Sequence, residues 1–284
     1  MSTEFYEAMK NKSDEEYREL LYRTILEDVI DGVKMPRFPS VEIQAQFVGT
    51  SGPATLQGEA WTFYQLVKGY VSIYSEPIGA DTTILDFGCN WGRTARLFFK
   101  DTNTHNVYGL DVDYDVIQEC KNTLPYGTFE VCSSAPPSTF EDNFFNVIYA
   151  YSFFAHFKDD TALKWMEEFS RILKPGGLLI ATTNGERFLN HCKELQERAK
   201  HQPLDHYSSI LMHSFDPLDE SIRRYRNGEF LYAPIGGGGV RHSSYYGASV
   251  IPKEFIENEF GQYLKLKHFS VDNGLVHSVF VMQK

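Results

Sequence analysis

The sequence predicts an α/β fold: a mostly parallel sheet of seven strands, helices on both faces, and a closing antiparallel hairpin. Three observations carry this. From residue 83 short apolar runs alternate with amphipathic stretches of helical period, the pattern of buried parallel strands joined by crossover helices. The first run, TILDF, empties into a bare turn, GCNWG, with glycines at both ends. The last two runs, YLKLKHFSVD and LVHSVFVMQK, alternate apolar and polar residues about Asn273-Gly274, a strong hairpin signal.

Each element follows in order. SDEEYRELLYRTILEDVIDG opens with a capping box, Ser13 with Glu16, and repeats Tyr17, Leu20, Leu21 and Ile25 at helical spacing until Gly32. MPRFPSVEIQAQFVGTSGPATLQG is punctuated by proline and glycine and reads as an ordered, irregular connection. GEAWTFYQLVKGYVSIY restores a helical period through Trp61, Tyr64, Leu66 and Val67. Then come strand TILDF, helix RTARLFFK, strand NVYGLDVD, helix YDVIQECKNTL and strand TFEVCS. Strand FNVIYAYSF, the long helix DTALKWMEEFSRILKPGG and strand LLIATT complete the parallel part. Residues 186–262 are long for one crossover and hold a helix, ERFLNHCKELQERAK, several turns and the tract IGGGGVRHSSYYG; such insertions shape substrate access. The expected organisation is an N-terminal helical and irregular cap region over 1–78, and a core over 79–284 carrying the 186–262 insertion.

An apolar fraction of 42% with 15% aromatic residues is ample for a core and argues against long disorder. A formal charge of -11 repels phosphate backbones, so nucleic acid is a poor partner and a small neutral or cationic molecule a better one. Cys89, Cys120, Cys132 and Cys192 form no C-x-x-C pair and read as free thiols of a reducing compartment. The acidic N-terminus is unlike a secretory or transit peptide, and no apolar run has membrane-spanning length. The expectation is a cytoplasmic protein without membrane contact, as monomer or homodimer.

The glycine turn sits at the carboxyl end of the first strand, where ligands bind in open α/β sheets. Glycine permits close approach and positive φ, and a helix starting near Arg93 would add unpaired N–H groups. About 20 residues on, Asp111 ends the second strand, placed for two ribose hydroxyls. Taken singly, the glycines make a tight turn and Asp111 caps a helix; together they favour a nucleoside. The spacing G-x-x-x-G lacks the third glycine of a dinucleotide fingerprint. Asp86 suits a cationic amino-acid group better than a pyrophosphate. Asn90, tolerant of left-handed backbone, keeps the turn while placing an amide near a cofactor carboxylate or the substrate.

On these residues the sequence resembles the class I S-adenosylmethionine-dependent methyltransferases. The resemblance rests on LDFGCNWGR, YGLDVD, FFNVIYAYSFFAH, RILKPGGLLIATT and the hairpin ending VHSVFVMQK. It covers residues 80–185 well and 263–284 in outline, with FPSVEIQAQFVGTSG a less specific likeness to bacterial members. It implies a Rossmann-like sheet and S-adenosyl-L-methionine as cofactor, with S-adenosyl-L-homocysteine as product. Asp86 would organise the methionyl ammonium, and Gly88, Cys89, Asn90 and Gly92 would pass beneath the cofactor. Asp111 would take the ribose and Val112 the adenine. The acidic residue that normally ends the third strand is missing from VCSSAPP, so Ser133 or Ser134 would substitute. Tyr151 would flank the methionyl portion.

Methyl transfer asks the protein for alignment and exclusion of water, and a hydroxyl acceptor gains from a base titrating near neutrality. His156, after the fourth strand, is one candidate, set against a helix-start histidine packed by phenylalanines. His242 is the other, on a glycine-hinged loop where Arg241, Tyr245 and Tyr246 could close over substrate; the alternative there is a solvated loop. Asn184 and Gly185 could line the cavity, and Phe47, Gly49 and Thr50 cover the cofactor. Asp159-Asp160 invites a metal reading, but a helix cap at Asp160 is simpler, and no metal is expected. No Asn-Pro-Pro-aromatic motif and no Pro-Cys pair points to nucleic-acid bases. The expected function is methylation of a small molecule at a hydroxyl oxygen, of a sugar or secondary metabolite. A nicotinamide-dependent oxidoreductase and a non-catalytic cofactor-binding scaffold are the alternatives.

Overall fold

The computed structural model describes residues 2–284. In chain order the helices are α1 (Ser2–Met9), α2 (Asp14–Arg23), α3 (Val41–Val48), α4 (Glu59–Tyr74), α5 (Tyr114–Thr123), α6 (Asp159–Ile172), α7 (Glu186–Ala199), α8 (His206–Leu211), α9 (Leu218–Arg226) and α10 (Lys253–Asn258). The strands are β1 (Val29–Ile30), β2 (Val33–Lys34), β3 (Ile84–Phe87), β4 (Val107–Asp111), β5 (Thr128–Val131), β6 (Phe145–Ala150), β7 (Leu173–Thr183), β8 (Leu231–Ala233), β9 (Ala248–Val250), β10 (Lys265–Ser270) and β11 (Ser278–Gln283). Seven of them form one sheet in the order β10-β11-β7-β6-β3-β4-β5. β3 pairs parallel with β4 and β6, β4 pairs parallel with β5, and β10 runs antiparallel to β11. This is the Rossmann-like sheet with its terminal antiparallel pair. The chain resolves into two compact units. One runs to Ser133 and takes in Thr139–Ala150 and Ile172–Leu179; the other holds Ser134–Ser138, Tyr151–Arg171 and Ile180–Lys284.

In the first unit α2 begins as the capping box dictates: Glu16 N–H donates to Ser13 and the Ser13 N–H to Glu16. Its buried face is Tyr17 and Leu21, while Ile25 is exposed. Asp14 then pairs with Lys68 at 2.6 Å and Lys100 at 2.7 Å, and Asp101 joins both lysines at 3.0 Å. Tyr64 donates to Asp101 at 2.7 Å, so α2, α4 and the segment after β3 share one half-buried ionic knot.

Three elements differ from the expectation. RTARLFFK is not an α-helix but a 3-10 helix over Ala95–Lys100, all six residues of which are buried. A segment packed on every side has no solvent face to impose a helical stripe, and tertiary contacts override propensity. Within the proline-rich connection, Ser40 caps an eight-residue α3, which stops at left-handed Gly49. The long helix after β6 ends at Ile172, and Lys174, Pro175, Gly176 and Gly177 belong to β7.

In the second unit the hairpin loop runs over 271–277 rather than a two-residue turn. Asn273 holds it, donating to Ser270 and His277 carbonyls and accepting from Leu275 N–H. The insertion builds a small core of its own: Leu189, Cys192 and Leu195 of α7 pack with Leu211, Phe215, Leu218, Ile222, Leu231 and Val250.

Candidate functional site

The turn after β3 is knitted to the end of β4. The N–H groups of Gly88 and Cys89 both donate to Leu110 O, at 2.8 and 3.0 Å. The Asn90 N–H donates to Asp111 Oδ2 at 3.0 Å, and the other carboxylate oxygen accepts from Asp113 N at 3.1 Å. Asp111 therefore braces the glycine turn, while the cap of α5 is Asp113, whose side chain accepts from Asp115 N. Asn90 lies at φ 51, in the left-handed region, and its Oδ1 accepts from Trp91 N at 2.7 Å. Part of its amide is thus spent on the turn itself.

Gly88 and Gly92 also have positive φ. The left-handed φ is what calls for glycine at Gly92, and a Cβ there would press on the end of the Leu124 side chain. Beneath the turn the Cys120 thiol donates to Asn90 O at 3.1 Å, and burial pushes the Cys89 thiol well above its ordinary range.

Asp86 is the unusual group of this unit. It is 4% exposed, and its Oδ2 has no hydrogen-bond partner among the described residues. Burial pushes the carboxyl up to about 7; the Asp111 charge adds to the rise, while the Tyr149 hydroxyl, the Ala95 backbone and Arg93 moderate it. A buried carboxylate short of a partner is what a cationic ligand group would satisfy, and the donor set beside the turn fits an amino-acid nucleoside. Val112 is half-buried beside Asp111, and Ser133 is exposed beyond β5.

Sequence reasoning missed Arg96. Fully buried, it lies over the rings of both Phe38 and Trp91, its guanidinium carbon 4.9 and 4.8 Å from their centroids. It donates to carbonyls of Gly92 at 3.1 Å, Trp91 at 3.3 Å and Arg37 at 2.8 Å, tying the turn to the N-terminal region. Burial lowers its pKa to about 10. An arginine inside an apolar string, RTARLFF, is the only signal of it in the sequence.

In the second unit His156 is half-buried and stacked on Tyr246, ring centroids 4.6 Å apart and planes at 8°. Its Nδ1 lies 2.9 Å from Gly247 O and its Nε2 3.3 Å from Ser152 Oγ. Burial lowers its pKa to about 4 against the opposing Gly247 contact, with His277 and Arg241 adding to the fall. His242 is exposed and contacts Ser244 Oγ at 3.1 Å. The structure so brings Tyr246 to His156 and leaves His242 in solvent. His277, also missed, holds a buried Nδ1 without a partner among the described residues, its pKa lowered by burial to about 4. Its ring meets Tyr151 edge-on at 5.6 Å. In the sequence it was one polar position of an alternating strand, indistinguishable from a surface residue.

The remaining candidates have structural employment. Ser134 is half-buried and its carbonyl accepts from Trp165 Nε1 at 3.3 Å. Asn184 donates to Ser249 O at 3.0 Å and Ala155 O at 3.4 Å, and Gly185 precedes α7. Asp159 and Asp160 lie in the first turn of α6, each accepting from the next residue's N–H. Phe47 is half-buried near the end of α3, and Gly49 ends it.

Residues 84–177 match the family described as a methyltransferase domain. The chain is 28% identical over 109 residues to 2-methyl-6-phytyl-1,4-hydroquinone methyltransferase of Synechocystis sp., a match covering 37% of this chain and 33% of that protein. The chain thus spans about a third of the curated relative it matches. Among solved structures, an S-adenosylmethionine-dependent methyltransferase from Clostridium acetobutylicum is similar at TM-score 0.52 and 12% identity, covering 85% of this chain and 96% of that one. Magnesium protoporphyrin IX methyltransferase from Synechocystis, with bound SAH, gives TM-score 0.51 at 11% identity over 85% and 93%. At such identities the likeness speaks for the fold. The matched domain model adds that residues 84–177 are similar to a methyltransferase domain.

Proposed function

We propose that the protein transfers the methyl group of S-adenosylmethionine to a hydroxyl oxygen of a small molecule. The observation that carries this is Asp86, a buried carboxylate with one oxygen unpartnered among the described residues, at the mouth of a turn whose glycines leave the backbone bare. When bound, the cofactor supplies an activated methyl on a sulfonium sulfur. The protein's part is to hold and orient. Asp86 takes the ammonium group, Gly88, Cys89, Asn90 and Gly92 form the floor, and Asp111 receives the ribose hydroxyls. Val112 lies on the adenine side with Ser133.

On the acceptor side, His156 with Tyr246 is favoured over His242, which is solvated. The His156 ring is unprotonated at neutral pH and can accept a proton, but burial holds it below the near-neutral range that favours a base, so the reading rests on its contacts with Tyr246 and Ser152. The curated relative's name specifies a hydroquinone, a hydroxylated ring, which supports a small acceptor of phenolic or alcoholic character. The charge of -11 supports a partner other than nucleic acid.

Calorimetric titration with S-adenosylmethionine, S-adenosylhomocysteine and NADH tests the reading. Both sulfur ligands should bind and NADH should not. Binding of NADH alone would replace methyl transfer with hydride transfer.

A further inference from the structure

Among the described residues four non-glycine positions have positive φ: Asp31, Asn90, Asn143 and Ser152. Aspartate and asparagine enter that region readily; serine has no such preference, and glycine would serve the turn better. Ser152, at φ 60 just past β6, is held by its N–H donating to Thr182 Oγ1 at 2.6 Å. Backbone strain retained in this way points to a use for the side chain it aims.

That side chain faces His156. A backbone carbonyl only accepts, so the 2.9 Å contact to Gly247 O places the ring proton on Nδ1. Nε2 then presents its lone pair to Ser152 Oγ at 3.3 Å, and the hydroxyl donates. Tyr246 covers one face of the ring and fixes its plane. Hydroxyl, imidazole and an orienting carbonyl in this order make an activated serine. Burial keeps the ring uncharged at neutral pH, and His277 and Arg241 are the charged or titratable groups that bear on it besides.

We propose that Ser152 and His156 act as a proton relay for the acceptor hydroxyl, an inference that rests on the methyl-transfer reading. The acceptor O–H bond breaks and its proton passes to Ser152 Oγ, while the serine's own proton moves to His156 Nε2. The acceptor oxygen gains the methyl carbon as the carbon–sulfur bond breaks, the electron pair staying on sulfur. The positive charge carried in on sulfonium ends on the imidazolium, so atoms and charge balance. Ser152 touches the acceptor; His156 acts through it.

Phenylmethylsulfonyl fluoride tests the pair on the full-length chain without knowledge of the acceptor. In that reaction the serine O–S bond forms, the S–F bond breaks and the proton goes to Nε2. One adduct, mapped by mass spectrometry to Ser152, is expected in the wild type. Ser152→Ala should take none, and His156→Gln should be labelled at least tenfold more slowly. Ser152→Gly should melt no lower than Ser152→Ala, because glycine is unstrained at this φ. Absence of the wild-type adduct, an equal rate in His156→Gln, or a lower melting temperature for the glycine variant than the alanine variant overturns the proposal. S-adenosylhomocysteine affinity of the same wild-type sample is measured alongside. Its absence removes the methyl-transfer reading and leaves the labelling result to decide the pair by itself.

Discussion

Replacing Asp86 by asparagine should stabilise the ligand-free protein at alkaline pH while weakening its hold on the cofactor. The carboxyl titrates at about 7 in the fold against 3.8 outside it, and burial is the largest cause. The folded state therefore binds the proton more tightly than the unfolded one. What this group contributes to stability is complete below the unfolded value and is lost as pH rises through the folded one. The stability lost on ionisation is roughly 4 kcal/mol at pH 8 and roughly 1–2 kcal/mol at pH 5. With 4% of the residue exposed, solvent screening gives little discount. Asparagine cannot ionise, but its amide leaves a buried donor short of a partner, at a cost of about 1–3 kcal/mol. The net expectation is a gain of about 1–3 kcal/mol at pH 8 and none at pH 5, read by urea denaturation of both proteins at both values. Calorimetry with S-adenosylmethionine should show binding weaker by about 10- to 150-fold, the loss of one charge-assisted hydrogen bond. A variant whose stability relative to wild type does not change between the two pH values refutes the account of burial. Unchanged affinity refutes the role in cofactor binding.

Three further outcomes follow from the same geometry. Gly92→Ala puts a side chain at a left-handed φ against the end of Leu124, and should lose about 1–3 kcal/mol in urea denaturation; a loss under about 0.5 kcal/mol would mean the turn relaxes freely. Asn90→Gly keeps the conformation and forfeits only the Trp91 contact, so S-adenosylhomocysteine affinity should change less than about threefold; a larger loss assigns the amide to the ligand. Asp14 has its carboxyl held far below the ordinary range by Lys100 and Lys68, with burial opposing. Its stabilisation is full above the unfolded value near 4 and fades as pH falls below it, so Asp14→Asn should cost about 2–3 kcal/mol at pH 7 and less at pH 3. Equal costs at both pH values would show that the ionic knot is not what the mutation removes.

The sheet was legible because burial on both faces writes itself as unbroken apolar runs such as VIYA and LLIAT, which no surface segment tolerates. The turn after β3 was legible because positive φ selects glycine and asparagine, leaving GCNWG as a trace of backbone geometry. Other features leave no trace of that kind. Ala95–Lys100 carries no period because nothing around it is solvent. Helix α3 hid between prolines and glycines that mark its borders rather than its absence. Ser152 occupies a conformation its residue type does not advertise, and His277 became notable only through the burial of one ring nitrogen. Composition encodes regularity, whereas these residues are set by long-range packing.

The separate core of the insertion bears on its tolerance of substitution. Leu189, Cys192, Leu195, Leu211, Phe215, Leu218, Ile222, Leu231 and Val250 bury one another. A substitution among them strains that packing first, and the glycine turn and its strands have no side chain in the cluster. Changes within the 186–262 segment can therefore be absorbed by this cluster, while the strands beside the glycine turn keep a packing of their own.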